Sequence, residues 1–305
     1  MTVLPRPLIA LAAVFLFLLV AAPASAAVCG DTITEDTTLT SDVLGCEGTA
    51  LVVTGDGVDL DLAGHKVQGV LVLNEATGPV IHGGTIEGGI AARFATGAVI
   101  RDNVIAKGGA GILFGRGSDG TIERNLIQDN GVGVQLDHGG STLVKLNLIR
   151  RNDTGLGVGI GSEAHVVGNV IADNLLRGAS LTQTTAVFTW NLIARNGGAG
   201  VGAEDANVTL EHNRLVRNGG AGVQFAGAGP FTVLWNVADR NGGDGIDLSA
   251  AAPGAQVTGN HTWFNGGLGI DAAPGTTGSR NWAKHNGDAR QCVNVSCSTK
   301  GKPKK

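Results

Sequence analysis

Short apolar runs recur along the chain at a fixed interval, and asparagine or glycine bounds each run. The clearest marker is a ladder of asparagines spaced 22 residues apart from Asn103 to Asn213, which continues at slightly altered steps to Asn281. A second ladder follows five residues behind the first, from Asn130 to Asn286. A constant period over most of a chain is typical of one small unit stacked on itself.

Within a unit, three apolar runs alternate with period two, as strands do. Glycine and asparagine between the runs tolerate the left-handed backbone that tight bends require. Each unit therefore predicts three short strands and three bends, which make one turn of a coil. The residues expected to face inward include the following columns: Ile105, Ile127, Ile149, Ile171, Ile193 and Leu215; and Ile100, Ile122, Val144, Val166, Phe188 and Leu210.

The repeat resembles that of the right-handed parallel β-helix proteins of the pectin-lyase-like superfamily. The matching text is Val-x-x-Asn-x-Ile-x-x-Asn followed by Gly-Ile or Gly-Val, preceded by a coil at residues 59–65. The resemblance implies an all-β fold, a single right-handed parallel β-helix of about 11–12 coils. The superfamily includes polysaccharide lyases, glycoside hydrolases, epimerases, adhesins and periplasmic accessory proteins, so the resemblance implies a fold more specifically than a function.

Four segments are expected along the chain. Residues 1–26 read as a signal peptide, with Arg6, an apolar stretch at 8–20 and an Ala24-Ser25-Ala26 cleavage site. Residues 27–49 are expected to cap the N-terminal end, 50–290 to form the β-helix, and 291–305 to form a C-terminal cap and basic tail. The product would be secreted, periplasmic or on the cell surface, without a membrane span after cleavage.

The four cysteines form two close pairs at opposite ends of the repeat. In an exported protein this spacing predicts the local disulfides Cys29–Cys46 and Cys292–Cys297. The caps of the solenoid would be pinned by these bonds, and no thiol would remain for chemistry.

Charge argues against nucleic acid as a partner. The formal net charge is −4 and 16% of residues are charged, whereas a nucleic-acid binder needs a concentrated basic face. The basic tail from Lys300 to Lys305 is interpreted as a soluble end. We expect a monomer whose partner is a polysaccharide.

Acidic residues break the repeat near the C-terminal end. The outward column of the strand that follows the glycine bend is expected to read Leu113, Gln135, Gly157, Ser180, Gly202, Gln224, Asp247 and Asp271. Asp247 and Asp271 should lie about 5 Å apart on neighbouring strands, with Asp244 at the bend before them. Stacked carboxylates need a cation, a base or a raised pKa. They are candidates for catalytic residues, and Asp247 and Asp271 for ligands of Ca²⁺, the one cofactor considered. A solvated acidic edge is the alternative.

Aromatic residues occupy the position before the ladder asparagine in three successive coils: Trp190, His212 and Trp235. If they point outward, they form a surface suited to stacking against sugar rings. If they point inward, they fill a corner of the core. Together with Gln224, they are the candidate substrate-binding residues.

The sequence thus predicts an exported β-helix that binds or processes extracellular or cell-envelope polysaccharide. If it is an enzyme, a lyase or epimerase-like activity is expected. However, no lysine or arginine lies on the acidic strands to serve as a lyase base, and the paired-aspartate, Gly-His-Gly and Arg-x-Lys motifs of the pectin hydrolases are absent. The alternative is a non-catalytic structural or adhesive surface protein.

Overall fold

The apolar runs of the repeat form short parallel strands in the computed structural model, which describes residues 24–299. Within these residues the chain contains no helix and makes about 12 turns of a parallel β-solenoid. Except at the two ends of the solenoid, each turn contributes one strand to each of three sheets, which are named here in the order in which a turn visits them. The predicted all-β solenoid is confirmed.

The first sheet contains β1 (Ala24–Ser25), β3 (Thr37–Leu39), β5 (Asp59–Asp61), β8 (Val80–His82), β11 (Ala98–Arg101), β14 (Gly120–Glu123), β17 (Ser141–Lys145), β20 (Glu163–Val167), β23 (Thr185–Thr189), β26 (Asn207–Glu211), β29 (Phe231–Leu234) and β32 (Gln256–Thr258).

The second sheet contains β6 (Lys66–Gln68), β9 (Thr85–Glu87), β12 (Val104–Ala106), β15 (Leu126–Gln128), β18 (Leu148–Arg150), β21 (Val170–Ala172), β24 (Leu192–Ala194), β27 (Arg214–Val216), β30 (Val237–Asp239), β33 (His261–Trp263), β35 (Asn281–Lys284) and β37 (Cys297–Ser298).

The third sheet contains β2 (Asp31–Ile33), β4 (Thr49–Val53), β7 (Val70–Asn74), β10 (Ile90–Arg93), β13 (Ala110–Gly115), β16 (Val132–Asp137), β19 (Thr154–Val158), β22 (Ala179–Thr182), β25 (Val201–Glu204), β28 (Val223–Gly227), β31 (Ile246–Ala251), β34 (Ile270–Ala272) and β36 (Cys292–Val293).

The core consists of the predicted aliphatic columns. The inward residues of the second sheet, from Ile105 to Leu215, and those of the first sheet, from Ile100 to Leu210, have no solvent exposure. Larger side chains fill the same interior, and the rings of Phe225 and Phe231 lie 4.9 Å apart. Because each turn buries its apolar face only against the turns above and below, stacking itself produces the core.

Both asparagine ladders lie inside the corners that flank the second sheet. In a representative rung, the Nδ2 of Asn125 donates to the carbonyl of Ile100 at 2.8 Å and to the Oδ1 of Asn147 at 3.1 Å. The backbone N–H of Asn125 donates to the same Oδ1 at 2.9 Å. The asparagine amides therefore satisfy backbone groups that the bends would otherwise leave buried without partners.

The left-handed backbone does not fall on the ladder asparagines, contrary to the sequence-based expectation. It falls on the residue before each ladder position, such as Arg124 at φ 53° and Asp129 at φ 58°. The asparagine side chain must point inward to join the ladder, so the preceding residue makes the sharp turn and directs its own side chain outward. That position consequently carries side chains that face solvent, and none of the positive-φ residues among the described ones is β-branched.

The two disulfides join Cys29 to Cys46 and Cys292 to Cys297, as predicted, and lie near opposite ends of the solenoid. Gln291 ends the second ladder, because its Oε1 accepts from Nδ2 of Asn286 at 2.9 Å. The predicted signal segment lies outside the described residues except for its last three, and so does the basic tail from Lys300. Among residues 24–299, no helix is long and apolar enough to cross a membrane.

Candidate functional site

The outward column of the third sheet has the register expected from the sequence. Gln224 pairs with Asp247 across β28 and β31, and Asp247 pairs with Asp271 across β31 and β34. Further from the C-terminal end, the same column passes through Gly202 and Ser180. The sheet therefore presents small or polar side chains that end in two adjacent carboxylates.

Asp244 completes a group of three carboxylates, named here the carboxylate cluster: Asp244, Asp247 and Asp271. One oxygen from each residue lies within 4.8 Å of the others, and all three side chains are half-buried. The Oδ1 of Asp244 accepts the N–H of Leu268 at 2.6 Å, which fixes this side chain at the bend before β31. Asp247 is held by Ser249, whose backbone N–H and hydroxyl both donate to its Oδ1.

Gly267 makes room for the Asp244 carboxylate. A Cβ at this position would overlap the Oδ1 of Asp244. The same bend contains glycine in neighbouring turns, at Gly220 and Gly243. The glycine bend of the repeat therefore allows an acidic side chain to fold back over the next turn.

The cluster is electrostatically strained in its charged form. Burial raises the pKa of Asp244, and the nearby Asp247 and Asp271 carboxylates raise it further, against the hydrogen bond from Leu268. Burial also raises the pKa of Asp271, with a further contribution from Asp247, while Arg290 acts in the opposite direction. Removing a proton from these groups places like charges together, which a bound cation would balance.

Arg177 is the residue that the sequence analysis missed. It lies in the loop before β22, and its guanidinium extends over the outward face of the third sheet, where a Cβ on Gly202 would lie 3.0 Å from Nη1. Arg177, Glu204, Gln224 and Asp247 line one cavity of about 270 Å³. The sequence does mark this loop as unusual, because Leu175-Leu176-Arg177 occupies the bend that holds Gly197-Gly198-Ala199 in the next turn.

The aromatic residues Trp190, His212 and Trp235, named here the aromatic corner, point outward between the first and second sheets. Trp190 is 66% exposed and Trp235 is 43% exposed. The rings of Trp190 and His212 stack with centroids 4.4 Å apart and planes 11° from parallel. All three residues have positive φ, which explains why they face solvent instead of filling the core. Because it lies between the first and second sheets, the aromatic corner is separate from the carboxylate cluster on the third.

Comparison with known proteins supports the architecture. The family model for the right handed beta helix region matches residues 68–201 and 161–301. The chain is similar to the A-module of the mannuronan C-5 epimerase AlgE4 of Azotobacter vinelandii, with 15% identity, coverage of 88% of this chain and 85% of that one, and a TM-score of 0.54. It is also similar to the tailspike receptor binding domain of Siphovirus 9NA, with 9% identity, coverage of 91% and 72%, and a TM-score of 0.62. No curated protein sequence matches the chain.

Proposed function

The chain belongs to the right-handed beta helix family, and on that premise we propose that it is an exported protein that binds or processes an extracellular or cell-envelope polysaccharide on the outer face of the third sheet. The observation that carries the proposal is the carboxylate cluster at the end of an open, polar strand column, next to the cavity lined by Arg177. The disulfides support export, because such bonds persist in oxidising compartments.

The proposal assigns a calcium ion to the carboxylate cluster. Calcium takes oxygen ligands at about 2.3–2.6 Å, so two oxygens on one ion lie within about 5 Å of each other. The carboxylate oxygens of the cluster meet this condition, since all lie within 4.8 Å of one another. Asp244, Asp247 and Asp271 would hold the ion. When bound, it would neutralise the cluster and attract anionic groups of the polymer.

The enzymatic form of the proposal assigns a proton transfer to the cluster. In an elimination or epimerisation, a base takes the proton from the sugar carbon next to the substrate carboxylate, and a cation balances the charge that develops on that carboxylate. The electron pair then forms a carbon–carbon double bond and expels the glycosidic oxygen, which takes up a proton, or in epimerisation the carbon takes a proton back on its opposite face. In this form we assign the role of base to Asp247 or Asp271, in place of its role as a calcium ligand. We assign the substrate carboxylate to Arg177, which lines the same cavity as Asp247 and whose guanidinium presents paired donors.

The fold neighbours share this scaffold and do not assign a reaction to it. The epimerase neighbour acts on mannuronan, and the tailspike domain binds a receptor. A shared fold does not determine an activity, so any reaction must come from this chain's own residues.

A second candidate function is polysaccharide binding without chemistry. Its support is the aromatic corner, where the Trp190 indole is largely exposed and stacked on His212. A flat, exposed aromatic face suits the apolar face of a sugar ring. In this form the protein is a surface adhesin or a structural protein.

The test uses the purified protein and a panel of acidic and neutral polysaccharides, measuring retention and any change in polymer length or sugar configuration by NMR. The enzymatic form predicts turnover that Asp247→Asn and Asp271→Asn abolish without loss of folding. Asp153→Asn, an exposed aspartate outside the cluster, is the matched control. Retention without turnover, lost in Trp190→Ala, would favour the binding form. Absence of both retention and turnover would reject the proposal.

A further inference from the structure

A second recess lies on another side of the molecule from the carboxylate cluster. It has a volume of about 410 Å³, and Trp235, Gly259, His261, Arg280, Trp282 and Ser298 contribute to its walls. It lies at the corner between the first and second sheets, over the last turns of the solenoid. Its size falls within the range of small-molecule sites, which are concave, largely apolar and supplied with a few polar groups.

A glycine in the outward corner column makes room for the indole that forms one wall of the recess. Trp235, Gly259 and Arg280 each precede a ladder asparagine in consecutive turns, and each has a positive φ that directs the position outward. The indole of Trp235 lies against the backbone of Gly259, where a Cβ would overlap the ring. A side chain at position 259 would therefore displace Trp235 and change the recess.

An aromatic wall closes the side formed by the second sheet. His261 and Trp282 are register partners on β33 and β35, and their rings meet edge to face with centroids 4.8 Å apart. The Nε1–H of Trp282 is buried and has no hydrogen-bond acceptor among the described residues. A buried indole N–H normally has a partner, so Trp282 is an unsatisfied donor among the residues that line the recess.

Arg280 supplies a charge that no carboxylate within residues 24–299 neutralises. It is exposed, and it takes part in none of the ion pairs found among those residues. Arg124 occupies the same corner column in an earlier turn, yet its Nε lies 2.8 Å from Oδ1 of Asp102. The unpaired cation thus lies at the rim of the aromatic recess.

We propose that this recess binds a sugar residue that carries a carboxylate, with the ring against the exposed face of Trp235 and the carboxylate on the guanidinium of Arg280. Aromatic faces bind the apolar faces of sugar rings, and the planar guanidinium matches a carboxylate with two parallel hydrogen bonds. The inference rests on the proposed function in that the sugar would belong to the same polymer. It adds a separate anchoring site that performs no chemistry.

The test is a titration of the purified protein with hexamers of glucuronate, galacturonate and mannuronate, followed by tryptophan fluorescence and NMR. Cellohexaose, which has the glucose backbone without carboxylates, is the neutral control. At least one uronate hexamer should bind, and cellohexaose should bind at least tenfold more weakly. Arg280→Gln should weaken uronate binding at least tenfold. Because Arg280 is exposed, this change is compatible with folding.

Two further variants separate this site from the third sheet and from the basic tail. Asp247→Asn should leave binding at the recess unchanged even if it abolishes turnover, so the two proposals can fail independently. A chain ending at Thr299 should also retain binding, which excludes the tail lysines as the source of affinity. The proposal is overturned if no uronate hexamer binds at millimolar concentration, if Arg280→Gln binds like the wild type, or if the shortened chain loses binding.

Discussion

Asp271 is the direct register partner of Asp247, and both side chains lie on the outer face of the third sheet. Neighbouring strands in a sheet are about 4.8 Å apart, so stacked carboxylates repel each other unless a cation or a proton intervenes. The bend residue Asp244 adds a third carboxylate to the same place. The repeat thus interrupts its regular pattern to concentrate negative charge where the sheet is open.

The first prediction concerns calcium and stability. The pKa values of Asp244 and Asp271 are raised by folding, so the folded state holds these protons more tightly than the unfolded state. Stability should therefore decrease as pH rises from the unfolded pKa through the folded pKa, and stay lower above it. At pH 7 in the presence of a chelator, Asp271→Asn should melt at a higher temperature than the wild type. Millimolar Ca²⁺ should raise the melting temperature of the wild type more than it raises the melting temperature of the variant.

Differential scanning calorimetry at pH 4 and pH 7, with and without Ca²⁺, checks this prediction. The difference in melting temperature between Asp271→Asn and the wild type should be smaller at pH 4, because more of the wild-type carboxyl is protonated there. Asp153→Asn should behave like the wild type in every condition. A wild-type melting temperature that does not respond to Ca²⁺ would remove calcium from the account.

The second prediction concerns the glycine beneath the cluster. Gly267→Ala should push Asp244 out of place, because its new Cβ would overlap the carboxylate, and should weaken Ca²⁺ binding at least tenfold. Overpacking of this kind costs about 1–3 kcal/mol. Isothermal titration calorimetry measures the affinity. Gly109→Ala is the matched control, since nothing lies within 4 Å of its Cβ position. Equal weakening by both variants would contradict the assigned role of Gly267.

The third prediction concerns the asparagine ladder. Asn169→Ala should lower the free energy of unfolding by about 1–3 kcal/mol, because buried partners lose their hydrogen bonds. The backbone N–H and Nδ2 of Asn147 would lose their acceptor, and the carbonyl of Val144 would lose its donor. Urea unfolding measures the change. The control is Arg217→Gln, an exposed corner substitution, whose free energy of unfolding should stay within about 0.5 kcal/mol of that of the wild type. A similar loss of stability in both variants would contradict a special role of the ladder.

The fourth prediction concerns a buried carboxyl. Burial raises the pKa of Asp239, although its Oδ1 accepts the N–H of Trp263 at 2.9 Å. Stability that depends on the protonated form decreases as pH rises through the folded pKa. Asp239→Asn keeps an acceptor and removes the charge, so it should melt at a higher temperature than the wild type at pH 7. The difference should shrink at pH 4. A lower melting temperature of the variant at pH 7 would contradict this reasoning.

The sequence specified the fold because the ladders and aliphatic columns recur at one period and each must face inward. The register of Gln224, Asp247 and Asp271 followed from that period, as the strand pairing confirms. Arg177 could not be placed in this way, because it belongs to a loop that departs from the repeat and its long side chain crosses to another turn. The predicted position of the left-handed residues was wrong. Asparagine suits both a left-handed bend and a buried ladder, and here the burial of its side chain selects the ladder, so that the preceding residue makes the turn.

The most direct measurement of the central claim is a footprint of bound polysaccharide. Hydroxyl-radical labelling followed by mass spectrometry would be run with the polymer that the protein retains best. The account predicts protection on β28, β31 and β34 around Gln224, Asp247 and Asp271, and loss of that protection in Asp271→Asn. Bound polymer that leaves these three strands as reactive as in the free protein would contradict it.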